Sequence, residues 1–476
     1  MADTDLLFLP AHETAARIRA RTLSPVELVQ AHLDRIAALN PRVNAYITVT
    51  AERALAEARQ AERDITAGRH RGPLHGLPYA PKDIYATKGV RTTNGSKATA
   101  DWVPGYESTV TARMNAAGGI LLGKLNLLEF AMGSGVLSGF GPAHNPWDLA
   151  YSPSGSSSGS AVSLAAGLIP LSTGTDTGGS IRGPANNCGI VGLKPTYGRV
   201  SRFGVTTLSW TLDHAGPMTR TVADCAMLLQ VIAGPDLLDP TAAREPVPDY
   251  AAALTGDVKG LRIGVPTNFF FDDLKPEAVT AVRHAIDTLK QLGATLVDVE
   301  VPHAELAPAA YNFVSHPEGA CYHEQLLKDR AKADLLDPVV RERLETAKFH
   351  LATDYIKALR VRTLLMETMT RVFERCDVLA VPAGNPAGKL EPPELAKSDI
   401  KPGSHALPFH GGTTNIGNMT GIPGIVVPCG FTAGPPVLPM GIMFYGRAFD
   451  ESTLLRVAHA YEQATPWHTR RPPLAS

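Results

Sequence analysis

The chain has 476 residues, 44% hydrophobic and 19% charged, which suits a large buried core and excludes a disordered or collagen-like protein. Forty-five Lys and Arg balance 46 Asp and Glu, a net charge of -1, so no basic footprint for nucleic acid exists, and no apolar run approaches the ~20 residues of a membrane helix. Five scattered cysteines and a start, Met-Ala-Asp-Thr-Asp, without a basic stretch predict a cytoplasmic protein with no membrane or nucleic-acid partner.

The first seventy residues read as helices. Ser24-Pro25-Val26-Glu27 is a capping box with Pro at the first helical position. Leu28, Val29, Leu33 and Ile36 follow at helical spacing, and Asn40-Pro41 is expected to stop that helix. A short strand, Val43 to Val49, and a charged helix, Ala51 to Ile65, come next. From Gly72 to Gly216 short apolar segments alternate with Gly/Ser/Thr clusters, and 24 of the 43 glycines fall there. Leu74 to Ile84 reads as an apolar strand containing one cation, Ile120 to Leu122 as a buried strand, Ala161 to Ala166 as a small-residue helix, and Leu168 to Leu171 as another strand. Leu261 to Val265, Pro276 to Leu292 and Ala294 to Val301 predict a βαβ unit with a right-handed crossover. Residues 303–375 read as polar helices. Strand-like pieces return at Asp377–Val381, Gly424–Val427 and Met440–Phe444, before a helix over Glu451–Gln463. With no repeat and no long linker, the pattern predicts one large α/β domain.

The sharpest segment is Ser152-Pro-Ser-Gly-Ser-Ser-Ser-Gly-Ser160, followed at once by the small-residue helix and then by Thr173-Gly-Thr-Asp-Thr-Gly-Gly-Ser-Ile-Arg182. Packed neighbours argue for a site rather than a flexible linker. Gly155-Ser156-Ser157-Ser158-Gly159 spells G-x-S-x-G, but the nucleophile elbow needs a strand immediately before it, and the adjacent Asp213-His214 makes a poor triad. Gly118 to Lys124 nearly spells a phosphate loop, yet Leu125 replaces the magnesium-holding hydroxyl. Gly133-Ser-Gly135 fails G-x-G-x-x-G because Ser138 fills the third place. His405 and His410 lack an acidic partner for a metal. A lysine can activate serine if burial keeps it neutral. Lys82 and Lys194 both qualify, and chemistry alone does not choose between them.

The sequence resembles the amidase signature family. The matching blocks are Gly76-Leu-Pro-Tyr-Ala-Pro-Lys-Asp83, Gly123 to Gly133, Asn145-Pro-Trp-Asp148, the Ser-rich run 154–160, Gly174 to Arg182, Gly189 to Arg199, Leu212 to Arg220, Gly421-Ile-Pro-Gly424 with Val427-Pro-Cys-Gly430, and the tail with Trp467-His468. The resemblance implies an α/β fold with a mixed, twisted β-sheet core covered by helices on both faces. In that reading residues 1–70 pack as a helical segment on a 71–476 unit whose catalytic core is 72–220. It further implies a Ser–cis-Ser–Lys triad: Ser180 as nucleophile, Ser156 as bridging serine after a cis peptide at Gly155, and Lys82 as base. The amides of Thr177, Gly178, Gly179 and Ser180 would form the oxyanion hole, and Met132 would line the acyl site or the core. No metal or cofactor is implied. Asp176 and Arg182 are expected to brace the loop, Lys194 to pair with a carboxylate or carbonyl, Asp83 to enter a hydrogen-bond network, and Cys188 to pack.

There are departures. Relatives often carry Gly-Gly-Ser-Ser-Gly-Gly where this chain has Ser154 to Gly159. The A subunits of glutamine-dependent amidotransferases, which it otherwise resembles, place an acidic residue for the glutamine amino group near the positions of Gly411 and Gly412. Pro382 to His410 is expected to form a variable wall over the site. The resulting expectation is a stand-alone amidohydrolase acting on a small-molecule carboxamide, or on an anilide, ester or carbamate, as monomer or homodimer. The alternatives are a non-catalytic binding protein and the A component of a glutamine-dependent tRNA amidotransferase.

Overall fold

The computed structural model describes residues 4–132, 138–390 and 412–475. The strands among them are β1 (Tyr46–Val49), β2 (Pro78–Pro81), β3 (Ile120–Leu121), β4 (Gly123–Leu125), β5 (Leu171–Asp176), β6 (Val191–Lys194), β7 (His214–Thr219), β8 (Arg262–Pro266), β9 (Thr295–Val299), β10 (Val378–Pro382), β11 (Gly424–Phe431) and β12 (Pro439–Gly446). Ten of them form one mixed sheet in the order β3-β2-β5-β7-β6-β11-β12-β10-β8-β9, while β1 and β4 pair separately. β2 runs parallel to β3 and β5, and β8 runs parallel to β9 and β10. The strands between these groups are antiparallel.

Alternation along the strands divides the apolar side chains between two cores. Val378 and Ala380 of β10, and Ile425 and Val427 of β11, face a layer that includes helices Val222–Ile232, Pro276–Gln291 and Glu451–Ala464. Leu379, Val381 and Val426 face the other, with helices Ser158–Ala165, Ala307–Tyr322, Ala352–Arg375 and Gly412–Thr420. A sheet covered on both faces has no solvated side, which is why these strands read as continuous apolar runs. The architecture is the expected single α/β domain, and the predicted βαβ unit is present with Ile263 opposite Leu296.

Some boundaries differ from expectation. The first long helix runs Pro25–Val43, straight through Pro41. A proline in the last turn forfeits only its own bond to the carbonyl four residues back. The helix ends where Asn44 turns left-handed at φ 48° and its N–H closes on Asn40. Ser24 caps its start as predicted, accepting from the N–H groups of Val26 and Glu27. Sequence pattern does not announce β6 and β7 as strands, because Gly192, Lys194, His214, Gly216 and Pro217 are poor strand formers. Their neighbours in the sheet decide the matter. His405, His410, Gly411 and most of the expected wall after Pro382 lie outside the described residues.

Candidate active site

The parallel pairing of β2 with β5 brings the ends of both strands to one edge of the sheet. Lys82 follows β2 directly, and its N–H donates to the Thr173 carbonyl at 3.2 Å. Its side chain is wholly buried. Nζ lies 2.7 Å from Ser156 Oγ and 2.7 Å from Thr175 Oγ1. Burial pushes the Lys82 amine down from its ordinary range to about 7, although the charges of Asp176 and Asp213 pull the other way.

Among the described residues two other lysines are equally buried, and their partners separate them from Lys82. Lys124 Nζ is 3.1 Å from the buried carboxylate of Asp83 and donates to the Tyr85 carbonyl and Thr92 Oγ1. Lys194 Nζ donates to the carbonyls of Ile422 and Pro195. A carboxylate or a carbonyl can only accept, so neither amine meets a hydroxyl to which it could pass or from which it could take a proton, except Thr92 Oγ1 beside Lys124. Burial lowers both amines, that of Lys194 well below its ordinary value. Among the described residues the Lys82 amine bonds to hydroxyls, which can donate or accept. What sets Lys82 apart from Lys194 is its contact with the Ser156 hydroxyl and not neutrality alone, since burial lowers both amines.

The peptide between Gly155 and Ser156 is cis. Gly155 has no room for a side chain, since a Cβ there would stand 2.4 Å from Leu128 Cδ1. Ser156 is buried, and helix Ser158–Ala165 begins two residues later. Ser157 Oγ is spent on the Thr175 carbonyl, and no strand precedes it; the elbow reading has no footing here. Ser180 follows Gly179 and is half-buried. Its carbonyl accepts from the Ser157 N–H at 3.2 Å, tying the two serine loops together. Among the described residues the hydroxyls of Ser156 and Ser180 share no hydrogen bond.

Asp176 ends β5 and organises the turn that carries Ser180. Its carboxylate accepts from the N–H groups of Gly179 and Ile181 and from Arg182 Nε and Nη2. Burial disfavours that charge, but the Arg182 guanidinium overrides it and holds the carboxyl well below its ordinary value. Arg182 reaches on to Asn418 Oδ1 and Tyr445 OH, tying the turn to helix Gly412–Thr420 and β12. Thr177 Oγ1 donates to Asp213 at 2.6 Å. The expected set of four amide donors is thus reduced: Gly179 N–H points at Asp176, leaving those of Thr177, Gly178 and Ser180 without a partner among the described residues.

His214 lies opposite Asp176 in the β5–β7 ladder. Its Nδ1 faces the carbonyls of Leu212 and Asp176, and burial followed by the Lys194 charge holds it well below its ordinary value. Among the described residues it hydrogen-bonds to neither serine. Lys124 of the near phosphate loop is occupied by Asp83. Cys188 is packed inside with its thiol pushed up by burial, and Met132 is buried near Gly319. Sequence reasoning missed Thr175, whose alternation on β5 points to the Lys82 side, and Tyr311, whose ring and hydroxyl come within 2.8 Å of where a Gly178 Cβ would stand. Nothing near Tyr311 in sequence signals this. Among the described residues no three metal-ligating side chains gather, and no helix is long and apolar enough to cross a membrane.

This sheet, with a buried lysine and two serine loops at one edge, is the framework of an amide-cleaving hydrolase. The Amidase family profile matches residues 27–455, and the chain belongs to that family. It is 44% identical to the A subunit of glutamyl-tRNA(Gln) amidotransferase from Geobacter metallireducens over 98% of this chain and 99% of that one. The same-named protein of Roseiflexus sp. is 45% identical, over 95% of each chain. Among solved structures, native peptide amidase from Stenotrophomonas maltophilia superposes with a TM-score of 0.85 at 33% identity, covering 98% of both chains.

Proposed function

We propose that the chain cleaves a carboxamide C–N bond through an acyl-enzyme on Ser180, with Ser156 as bridge and Lys82 as base. The observation that carries this is the fully buried Lys82 amine 2.7 Å from Ser156 Oγ, with hydroxyls as its hydrogen-bond partners among the described residues. Neutral Lys82 takes the Ser156 proton as Ser156 takes that of Ser180, whose oxygen bonds to the substrate carbonyl carbon. The amides of Thr177, Gly178 and Ser180, which have no partner among the described residues, would serve the oxygen that becomes negative. The relay then runs in reverse, the leaving nitrogen is protonated and the C–N bond breaks. Water, deprotonated by the same relay, frees the acid. The step requires the Ser180 hydroxyl to turn toward Ser156. Anilide, ester and carbamate carbonyls fit the same sequence of steps.

The setting of this chemistry has two readings. Full-length relatives at 42–45% identity bear the name of an amidotransferase component, and they weigh toward a chain that works with protein partners over the stand-alone small-molecule enzyme expected from sequence. Gly411 and Gly412, near which the resemblance puts a carboxylate for the glutamine amino group, weigh against glutamine. The purified chain is to be assayed on aliphatic amides, anilides, carbamates and glutamine, with Ser180→Ala as control. Hydrolysis of a simple amide by the chain alone favours the stand-alone setting. Release of ammonia from glutamine only with added partner proteins favours the other. Labelling of the Ser180→Ala variant by a fluorophosphonate overturns the nucleophile assignment.

A further inference from the structure

The peptide unit joining Gly178 and Gly179 is gripped at both edges. Its carbonyl accepts from Thr414 Oγ1 at 2.6 Å, and its N–H donates to Asp176 Oδ1 at 2.8 Å. A peptide unit is planar, so fixing its oxygen and its N–H fixes the whole plane. Without these two bonds the joints on either side would be the freest in the loop, since both residues are glycine. Gly179 stands at φ 131°, a conformation that side chains rarely adopt, and a Cβ there would meet Thr414 Oγ1 at 2.7 Å. The planes on either side of the gripped one carry the N–H groups of Gly178 and Ser180, two of the three amides without a partner among the described residues.

Both grips lead back to one helix. Thr414 and Asn418 lie one turn apart on Gly412–Thr420. Asn418 Nδ2 donates to Asp176 Oδ1 at 2.9 Å, and the Thr414 carbonyl accepts from Arg182 Nη1 at 2.9 Å. The other side chain near the Gly178 carbonyl, Asn415 Nδ2, is at 3.5 Å, too long to take over.

We propose that Thr414 is a positioning residue for the reaction: its hydroxyl, with Asp176, orients the Gly178–Gly179 plane so that the Gly178 and Ser180 amides converge on the developing oxyanion. The inference rests on the acyl-enzyme reading above. Thr414 acts through the amides on the transition state, so its loss falls on the chemical step and leaves ground-state binding of substrate in place.

The test compares wild type, Thr414→Val and Thr414→Ser on a hydrolysed anilide, together with the rate of Ser180 phosphonylation by a fluorophosphonate and a thermal melt. Removing an oxyanion donor outright costs about 10²–10³-fold, so misdirecting two of them in Thr414→Val is expected to lower kcat and the phosphonylation rate about 10- to 100-fold. KM stays within about twofold, the pH midpoint does not move, and Thr414→Ser keeps most of the wild-type rate. Wild-type kcat in Thr414→Val, an equal loss in Thr414→Ser, or a change confined to KM overturns the inference. If the valine variant does not fold, Thr414→Ala supplies the same deletion under the same criteria. Failure of the acyl-enzyme reading looks different, because wild type itself then escapes phosphonylation at Ser180.

Discussion

The pH dependence of turnover follows from the surroundings of Lys82. An ordinary lysine, near 10.5, is neutral in only about 1 in 3,000 molecules at pH 7. With the amine lowered to about 7, half the molecules carry the neutral form there, a gain of about 1,600-fold in competent base, equivalent to about 4–5 kcal/mol. The neutral amine is the base, so kcat/KM rises with pH. It is expected at about 10% of its plateau at pH 6 and about 90% at pH 8, through one ionisation. Asp176 and Asp213 both favour the ammonium form. Removing the second charge in Asp213→Asn lowers the Lys82 value and moves the rising limb toward acid. The assay is kcat/KM for an activated anilide from pH 5.5 to 9, repeated as the rate of fluorophosphonate labelling to isolate acylation. A flat profile, or a limb that vanishes in His214→Ala, refutes the reasoning. His214 Nδ1 faces backbone carbonyls, and among the described residues no hydrogen bond joins His214 to either serine.

Two further outcomes test the same framework. Lys82→Arg is expected to be nearly as inactive as Lys82→Ala, because a guanidinium does not give up its proton; steady-state rates of the two variants decide this. Lys124→Met strips the buried Asp83 carboxylate of its counter-charge and is expected to destabilise the fold by about 3–5 kcal/mol. A denaturant melt reads the loss, and Lys124→Met combined with Asp83→Leu is expected to recover much of it.

The three residues of the proposed triad are legible because they sit in long local motifs. Lys82 lies in Gly76 to Asp83, Ser156 in the serine run, and Ser180 after Gly178-Gly179. What the sequence could not supply is the reason for preferring Lys82 to Lys194. That reason is the identity of their partners, Thr175 and Ser156 against the carbonyls of Ile422 and Pro195, and it exists only once distant segments meet. Lys124 escapes notice as a third buried lysine for the same reason. The strand at Leu261–Val265 and the helix after Pro276 announce themselves through periodicity. β6 and β7 do not, because their glycines and Pro217 are tolerated only where the flanking strands of a central sheet hold them. The four-amide expectation fails at Gly179 because a side chain three residues earlier, Asp176, competes for that N–H.

The direction in which the strands enter the reacting edge has a consequence for how the chain tolerates change. β2 and β5 run side by side toward that edge and β7 leaves from it, so the connections at their other ends never approach the chemistry. The exposed turn at residues 67–71 leads into β2 from that far side. Insertions and sequence drift can accumulate there while the reacting edge is held, which separates the rate at which the surface diversifies from the rate at which the chemistry can.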